Sequence, residues 1–133
     1  MRKIFYLLSG AFLMVLLLQC NSDEKGLNKR LTRMAAELNE STPVMLDQYT
    51  RFDKASVVTG NMFQYQYTVL NTKNPDSLVD IGLQSLRENI RNEFSTNPQL
   101  AVFKENNVVL EYVYKDENNR TIRTLRIDPE EYQ

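Results

Sequence analysis

The chain has 133 residues, with 16 Lys and Arg, 17 Asp and Glu, one Cys and no His. This length accommodates one domain of ordinary size. The absence of His excludes Ser-His-Asp and Cys-His catalysis and His-ligated zinc or iron. A single Cys excludes an internal disulfide and a thiolate metal cluster. These counts weigh against catalysis and predict neither a metal nor a cofactor.

The N-terminus joins a short basic start to an apolar run. Residues 4–18 carry no charge, are too few to cross a bilayer comfortably, and are followed closely by the only Cys, Cys20. This order, ending in Leu-Leu-Gln-Cys, resembles a bacterial lipoprotein signal peptide, although Gln19 stands where that family places a small residue. The resemblance implies removal of residues 1–19 and lipidation of Cys20. A buried apolar helix or an uncleaved anchor with an incidental Cys is the alternative.

Processing at that position would divide the chain into a signal peptide and a mature domain. Removal of residues 1–19 would leave 114 residues with a net charge of −3. Residues 20–26 would form the lipidated Cys and a tether of about 20 Å, and residues 27–133 a single domain. The mild acidity and the lack of a basic stripe predict no nucleic-acid partner. By resemblance to Gram-negative sorting, the residues after Cys20 favour the outer membrane, on either its periplasmic or its surface face.

The first half of this domain predicts one helix and two strands. Apolar residues recur at helical spacing from Leu27 to Leu38, and Pro43 ends the segment. Residues 49–58 are rich in residues that favour strands, and residues 59–61 have the composition of a turn. Residues 63–69 then alternate between apolar and polar side chains, as in a half-buried strand.

The second half repeats this order. Asn74 is predicted as the N-cap of a helix with Pro75 in its first turn, and apolar residues follow at helical spacing to Phe94. Residues 108–115 alternate as a strand, residues 116–119 predict a polar turn, and residues 121–127 predict the return strand.

The predicted fold class is therefore α+β, in the order αββαββ. We expect a four-stranded antiparallel sheet with two helices packed on one face, because alternating strands bury only one side. A second resemblance rests on these motifs: Pro43-Val44-Met45-Leu46-Asp47, Thr50-Arg51-Phe52-Asp53, Tyr65-Gln66-Tyr67-Thr68 and Asn97-Pro98. Together they resemble small secreted or membrane-attached bacterial domains without an established activity, which implies the same layout and brings no catalytic residues.

Four polar residues form a candidate recognition patch: Asp47, Thr50, Arg51 and Asp53. Arg51 and Asp53 share a face of a β-strand, so a base lies beside a carboxylate. The functional interpretation is recognition of a carboxylate or a peptide. The structural alternative, which we favour, is that these groups pair with each other or cap the first helix.

Tyrosines at period two form a second candidate surface on two strands: Tyr65, Tyr67, Tyr112 and Tyr114. Stacking on sugar or peptide requires an open sheet face. Packing beneath the helices is favoured, because the same faces hold the most apolar neighbours.

Acidic clusters near the C-terminus are a third candidate. Residues 116–119 lack the spaced ligands, Gly and distal Glu of a calcium loop. Asp128, Glu130 and Glu131 belong to a terminal tail, which offers no enclosed cleft for carboxylate chemistry. We therefore predict that the protein is not an enzyme.

The sequence favours a small cell-envelope lipoprotein, attached to the membrane through its lipid, that acts by contact with an envelope protein partner. Accessory, assembly, inhibitor and immunity roles all fit. A ligand-binding or carboxylate-based hydrolytic lipoprotein is the alternative. An open cleft lined by Asp47, Asp53 and tyrosines would favour that alternative.

Overall fold

A computed structural model of the protein describes residues 26–58 and 61–133. The predicted leader, Cys20 and most of the predicted tether lie outside the described residues. So do residues 59–60 of the predicted turn. Among the described residues, no helix has both the length and the apolar content needed to cross a membrane.

The described residues fall into two units, of which the first ends at Arg30 and the second is Leu31–Gln133. Of the first unit, the described residues 26–30 are helical and mostly exposed. The second unit contains the sheet and its packed helices. The elements in chain order are α1 (26–39), β1 (Val44–Met45), β2 (Thr50–Val58), β3 (Met62–Val69), α2 (Pro75–Thr96), α3 (Ala101–Glu105), β4 (Val109–Lys115) and β5 (Thr121–Ile127).

The α+β class is confirmed, but the sheet is mixed and has five strands in the order β1-β2-β3-β4-β5. The prediction of a wholly antiparallel sheet is wrong at its centre, where β3 and β4 pair in parallel. The physical reason is the connection between them. A helix of 22 residues carries the chain back along the sheet before β4 begins, and a parallel pair requires such a crossover.

The prediction of four strands and two helices also omitted two short elements. Val44 and Met45 pair with Phe52 and Arg51 as an additional edge strand, β1. Residues 101–105 form α3, whose Phe103 is fully buried. Neither segment is long enough for its spacing to distinguish a strand or a helix from a loop.

The predicted boundaries of α2 agree with the structure, but its predicted cap does not. The helix begins at Pro75, while the Asn74 side chain makes no capping hydrogen bond. The Asn74 backbone N–H instead donates to Thr72 Oγ1 at 3.1 Å. Asn74 therefore occupies the N-cap position, but its side chain does not cap the helix.

Asparagine also occupies the tight turns. Among the described residues, each non-glycine with positive φ is an Asn: Asn61, Asn71, Asn107 and Asn119. Asn tolerates the left-handed region better than most residues do, so these positions allow sharp reversals in a chain with few glycines.

The two faces of the sheet differ in chemistry. The register places Phe63, Tyr65 and Tyr67 beside Leu110, Tyr112 and Tyr114 on one face. The opposite face carries Gln64 beside Glu111, and the Gln64 amide donates to Glu111 Oε1 at 2.6 Å. α2 packs on the aromatic face, where its Val79 contacts a cluster that contains Val69 and Ile122.

The C-terminal end of α2 is closed by aromatic packing. The Phe94 ring lies 5.8 Å from that of Phe103 and 4.3 Å from that of Tyr132. The Tyr132 hydroxyl donates to the backbone oxygens of Val108 and Phe103, and Tyr132 is 4% exposed. We call Phe94, Phe103, Val108 and Tyr132 the closed end.

Helix α1 joins the free edge of β2 through one side chain. The Asn39 amide donates to the Ala55 backbone oxygen at 2.8 Å, and the Ala55 N–H donates to Asn39 Oδ1 at 2.7 Å. Asn39 therefore replaces a neighbouring strand at this position and satisfies both backbone groups.

Candidate functional site

The four residues of the predicted recognition patch lie in three different environments. Asp47 is in the turn between β1 and β2. Thr50 pairs with Val69 on the aromatic face, whereas Arg51 and Asp53 lie on the opposite face beside Thr68. The sheet separates Thr50 from Arg51 and Asp53, and Asp47 lies in the turn, so the four residues do not form one patch.

Asp47 builds its own turn. Its Oδ1 accepts the backbone N–H groups of Tyr49 at 2.7 Å and Thr50 at 2.8 Å. The Leu46 N–H donates to the Thr50 backbone oxygen at 2.8 Å, and the Asn71 amide donates to the Gln48 backbone oxygen. The Asp47 carboxylate is therefore used to hold the loop.

Arg51, Asp53 and Thr68 form a small hydrogen-bonded network. Arg51 Nε lies 2.6 Å from Asp53 Oδ1, and the Thr68 hydroxyl donates to Asp53 Oδ2 at 2.5 Å. The base and the carboxylate satisfy each other, as the structural alternative predicted. Each Asp53 oxygen accepts one of these bonds, so the pair is used within the sheet to hold Arg51 and Thr68.

The acidic C-terminal residues stabilise local structure. Asp116 Oδ1 accepts the backbone N–H groups of Asn118 and Arg120 in the β4–β5 turn. These bonds and the Arg120 guanidinium hold the pKa of Asp116 below its usual value. Asp128 and Glu131 form a capping box. The described residues contain no cluster of three metal-ligating side chains.

An apolar groove lies between α2, the aromatic face and the Asp47 turn. Its volume is about 500 Å³ and it is open to solvent. One wall is α2, through Leu78, Gly82 and Leu86, and the other is the loop that carries Leu46. Tyr67, Val69 and Tyr114 form the floor, and Asp47, Thr50 and Asn89 add polar groups.

Strand β1 and the loop that follows it expose apolar side chains beside the groove, although both are held in place by hydrogen bonds. Leu46 is 58% exposed and Met45 is 46% exposed. Because the Asp47 turn and the pairing of β1 with β2 order the backbone, these side chains belong to an ordered segment. A rigid apolar display is typical of a surface that a partner covers.

The four tyrosines form a stacked row across β3 and β4. The rings of Tyr65 and Tyr112 are 4.8 Å apart with planes 13° apart, and those of Tyr67 and Tyr114 are 4.9 Å apart. The four rings therefore pack mainly on one another, and only Tyr112 among them is buried, whereas the sequence favoured packing beneath the helices. Burial raises the pKa of Tyr65 and Tyr114 to about 12, and it also raises the pKa of Tyr67 and Tyr112.

Tyr67 and Tyr114 nevertheless line the groove. The sequence did not distinguish these two tyrosines from those of the core. The groove itself was not predicted, because it depends on the distance between α2 and the loop. Two local features pointed to it: a glycine inside the strongest helical pattern and the apolar run from Val44 to Leu46.

Residues 26–124 match the model of a protein family described as Domain of unknown function (DUF8479). No curated protein matches the chain in sequence.

The fold is similar to three solved structures. A protein inferred to be secreted, from Pseudomonas aeruginosa, has a TM-score of 0.66 at 18% identity, covering 81% of this chain and 94% of that one. The type 2 secretion system pilotin EpsS from Vibrio vulnificus has a TM-score of 0.54 at 12% identity, covering 85% and 97%. The type II secretion system pilotin AspS from Vibrio cholerae has a TM-score of 0.56 at 11% identity, covering 84% and 97%. These likenesses concern the fold.

Proposed function

We propose that this chain, which belongs to the DUF8479 family, is an accessory protein of the bacterial cell envelope that holds a partner protein in its apolar groove. The observation that carries the proposal is the solvent-open groove beside a rigid apolar loop. Nothing in the described fold fills this groove.

Exposure of apolar side chains to water costs free energy, and burial against a partner would recover it. Leu46 and Met45 leave large apolar areas in water, and burial of such area is worth about 25 cal/mol per Å². The backbone around them is already ordered, so a partner gains this burial without the entropy of fixing a loop. The groove is therefore suited to a protein contact.

The solved relatives support the same class of role. Two of the three similar structures are pilotins of type II secretion systems, and the third is inferred to be secreted. We infer an assembly or accessory role in the envelope, with a protein of that compartment as the partner.

Membrane attachment is the second part of the proposal. The Leu-Leu-Gln-Cys sequence supports lipidation at Cys20 after removal of residues 1–19. We propose attachment to the outer membrane, with the domain at residues 27–133 held close by a short tether. Metabolic labelling with a palmitate analogue tests this, since Cys20→Ser should abolish the label and change the apparent mass. A Cys20→Ser protein that stays membrane-bound at unchanged mass would contradict it.

A catalytic role has less support. The hydrolytic alternative needed Asp47 and Asp53 in one cleft with tyrosines, but Asp53 lies on the other face and Asp47 accepts two backbone N–H groups. The absence of an enzymatic activity and of a cofactor remains our prediction.

The partner contact is tested by site-specific cross-linking in the host bacterium. A photoreactive phenylalanine analogue in place of Asn89, at the edge of the groove, should produce a discrete cross-linked protein. The cross-link should be lost in Leu46→Ser, which alters the groove wall. It should persist in the matched control Ile81→Ser, because Ile81 is 78% exposed on α2 and does not line the groove. Equal cross-linking in both variants would contradict a groove contact.

A further inference from the structure

Gly82 stands at an unusual place in α2. It lies well inside a helix of 22 residues, where glycine is less favourable than any residue except proline. Inside a helix glycine is required where a Cβ would clash or where φ is positive. Neither reason applies, because a Cβ on Gly82 would meet no described atom within 4 Å outside its own stretch of helix backbone, and its φ is not in the left-handed region.

Gly82 lies between two large side chains on the same side of the helix. Leu78, Gly82 and Leu86 are four residues apart, so they form one row along the helix, and all three line the groove. Two large side chains with no side chain between them leave a notch at Gly82. Ridges of side chains on a partner pack into gaps of this kind.

We infer that Gly82 determines the specificity of the groove. At this residue a partner protein places a large apolar side chain directly against the α2 backbone. This inference rests on the proposed function and names the contact within it. In this inference Gly82 weakens the helix of the free protein and leaves space that the bound state occupies.

The lining of the groove favours a protein segment over a hydrocarbon chain. Thr50, Asn89 and the hydroxyls of Tyr67 and Tyr114 make no side-chain hydrogen bond among the described residues. A peptide supplies replacement donors and acceptors, whereas an acyl chain would leave these groups buried and unpaired.

The experiment separates stability from binding in one substitution. The partner segment cross-linked to position 89 is mapped by mass spectrometry, synthesised as a peptide and titrated calorimetrically into the full-length chain. Gly82→Ala should raise the melting temperature by about 4 °C and weaken peptide binding at least tenfold. Gly82→Leu, which fills the notch, should abolish detectable binding.

The same change at Gly26 provides a matched control. A Cβ at Gly26 also meets no atom of the described chain within 4 Å, and Gly26 does not line the groove. Gly26→Ala should leave peptide affinity unchanged. The inference is overturned if Gly82→Ala binds with unchanged affinity, or if it lowers the melting temperature and thereby reveals an internal role.

Failure of the inference is distinguishable from failure of the proposed function. If Leu46→Ser abolishes peptide binding while both Gly82 variants bind normally, the groove contact stands and the notch is excluded. If only acyl chains or a second copy of this chain cross-link at position 89, both the notch and the partner contact are excluded.

Discussion

The two ends of α2 pack against the same sheet face in opposite ways. At the closed end, Phe94 stacks on Tyr132 and the hydroxyl of Tyr132 is bonded to backbone oxygens. Toward the other end, Leu78 and Leu86 face a groove that remains open. One helix therefore contributes a sealed core at one end and a free apolar surface at the other, which separates the residues that stabilise the fold from those available to a partner.

The largest expected effect comes from alkali, because both regions contain buried phenols. Burial raises the pKa of Tyr114, in the groove, and of Tyr132, at the closed end, to about 12. An unfolded phenol ionises near 10. The fold favours the neutral form, so this stabilisation is complete below about pH 10 and is lost as the pH rises toward 12.

We therefore expect cooperative unfolding between pH 10 and 12, measured by far-ultraviolet circular dichroism together with tyrosinate absorbance. Normal titration near pH 10 in a protein that remains folded would contradict the raised pKa values.

Truncation of the closed end should have the next largest effect. Tyr132→Ala removes a buried ring and should lower the free energy of unfolding by about 3–5 kcal/mol, measured by urea denaturation. Tyr132→Phe keeps the ring and removes only the hydroxyl, so we expect a loss of about 1–2 kcal/mol. Equal losses in the two variants would show that the ring packing contributes nothing.

Asn39 contacts β2 through hydrogen bonds, in contrast to the ring packing at the closed end. Asn39→Ala leaves the N–H and C=O of Ala55 without their partner and should lower the free energy of unfolding by about 2 kcal/mol. Ser41→Ala is the control, since its hydroxyl makes one exposed 3.3 Å bond to Leu38. If Asn39→Ala loses no more stability than the control, the hydrogen bonds of Asn39 to Ala55 do not stabilise the fold.

The smallest effect on stability is expected at the groove. Leu46 is 58% exposed, so Leu46→Ser should change the free energy of unfolding by no more than about 0.5 kcal/mol. Thermal denaturation of the purified protein measures this. A large destabilisation would mean that the loop belongs to the core, and the contrast between the two regions would be lost.

The sequence was informative where spacing alone determines structure. The α2 pattern and the alternation in β3, β4 and β5 predicted those elements, and the aromatic face followed from the period of two. The parallel pairing of β3 with β4 was not predicted, because periodicity within a strand is the same for both directions. Direction depends on the path of the connection.

The candidate site was less accessible from sequence. The pairing of Arg51 with Asp53 follows from their spacing on one strand, so the structural alternative could be formulated. The separation of Asp47 from Asp53 depends on the sheet between them, which no local pattern encodes. The groove likewise requires knowing that Leu46 and Leu86, forty residues apart in sequence, face each other in space.

The parallel pairing at the centre of the sheet also has a consequence for how the chain folds. Neighbouring segments form β2–β3 and β4–β5, but β3 and β4 meet only after 39 intervening residues have been brought together. Closing so long a loop costs conformational entropy before the contacts compensate for it, which slows folding. We therefore expect two hairpins to form early and to join late. Until they join, the inner edges of β3 and β4 are open to pairing with other chains.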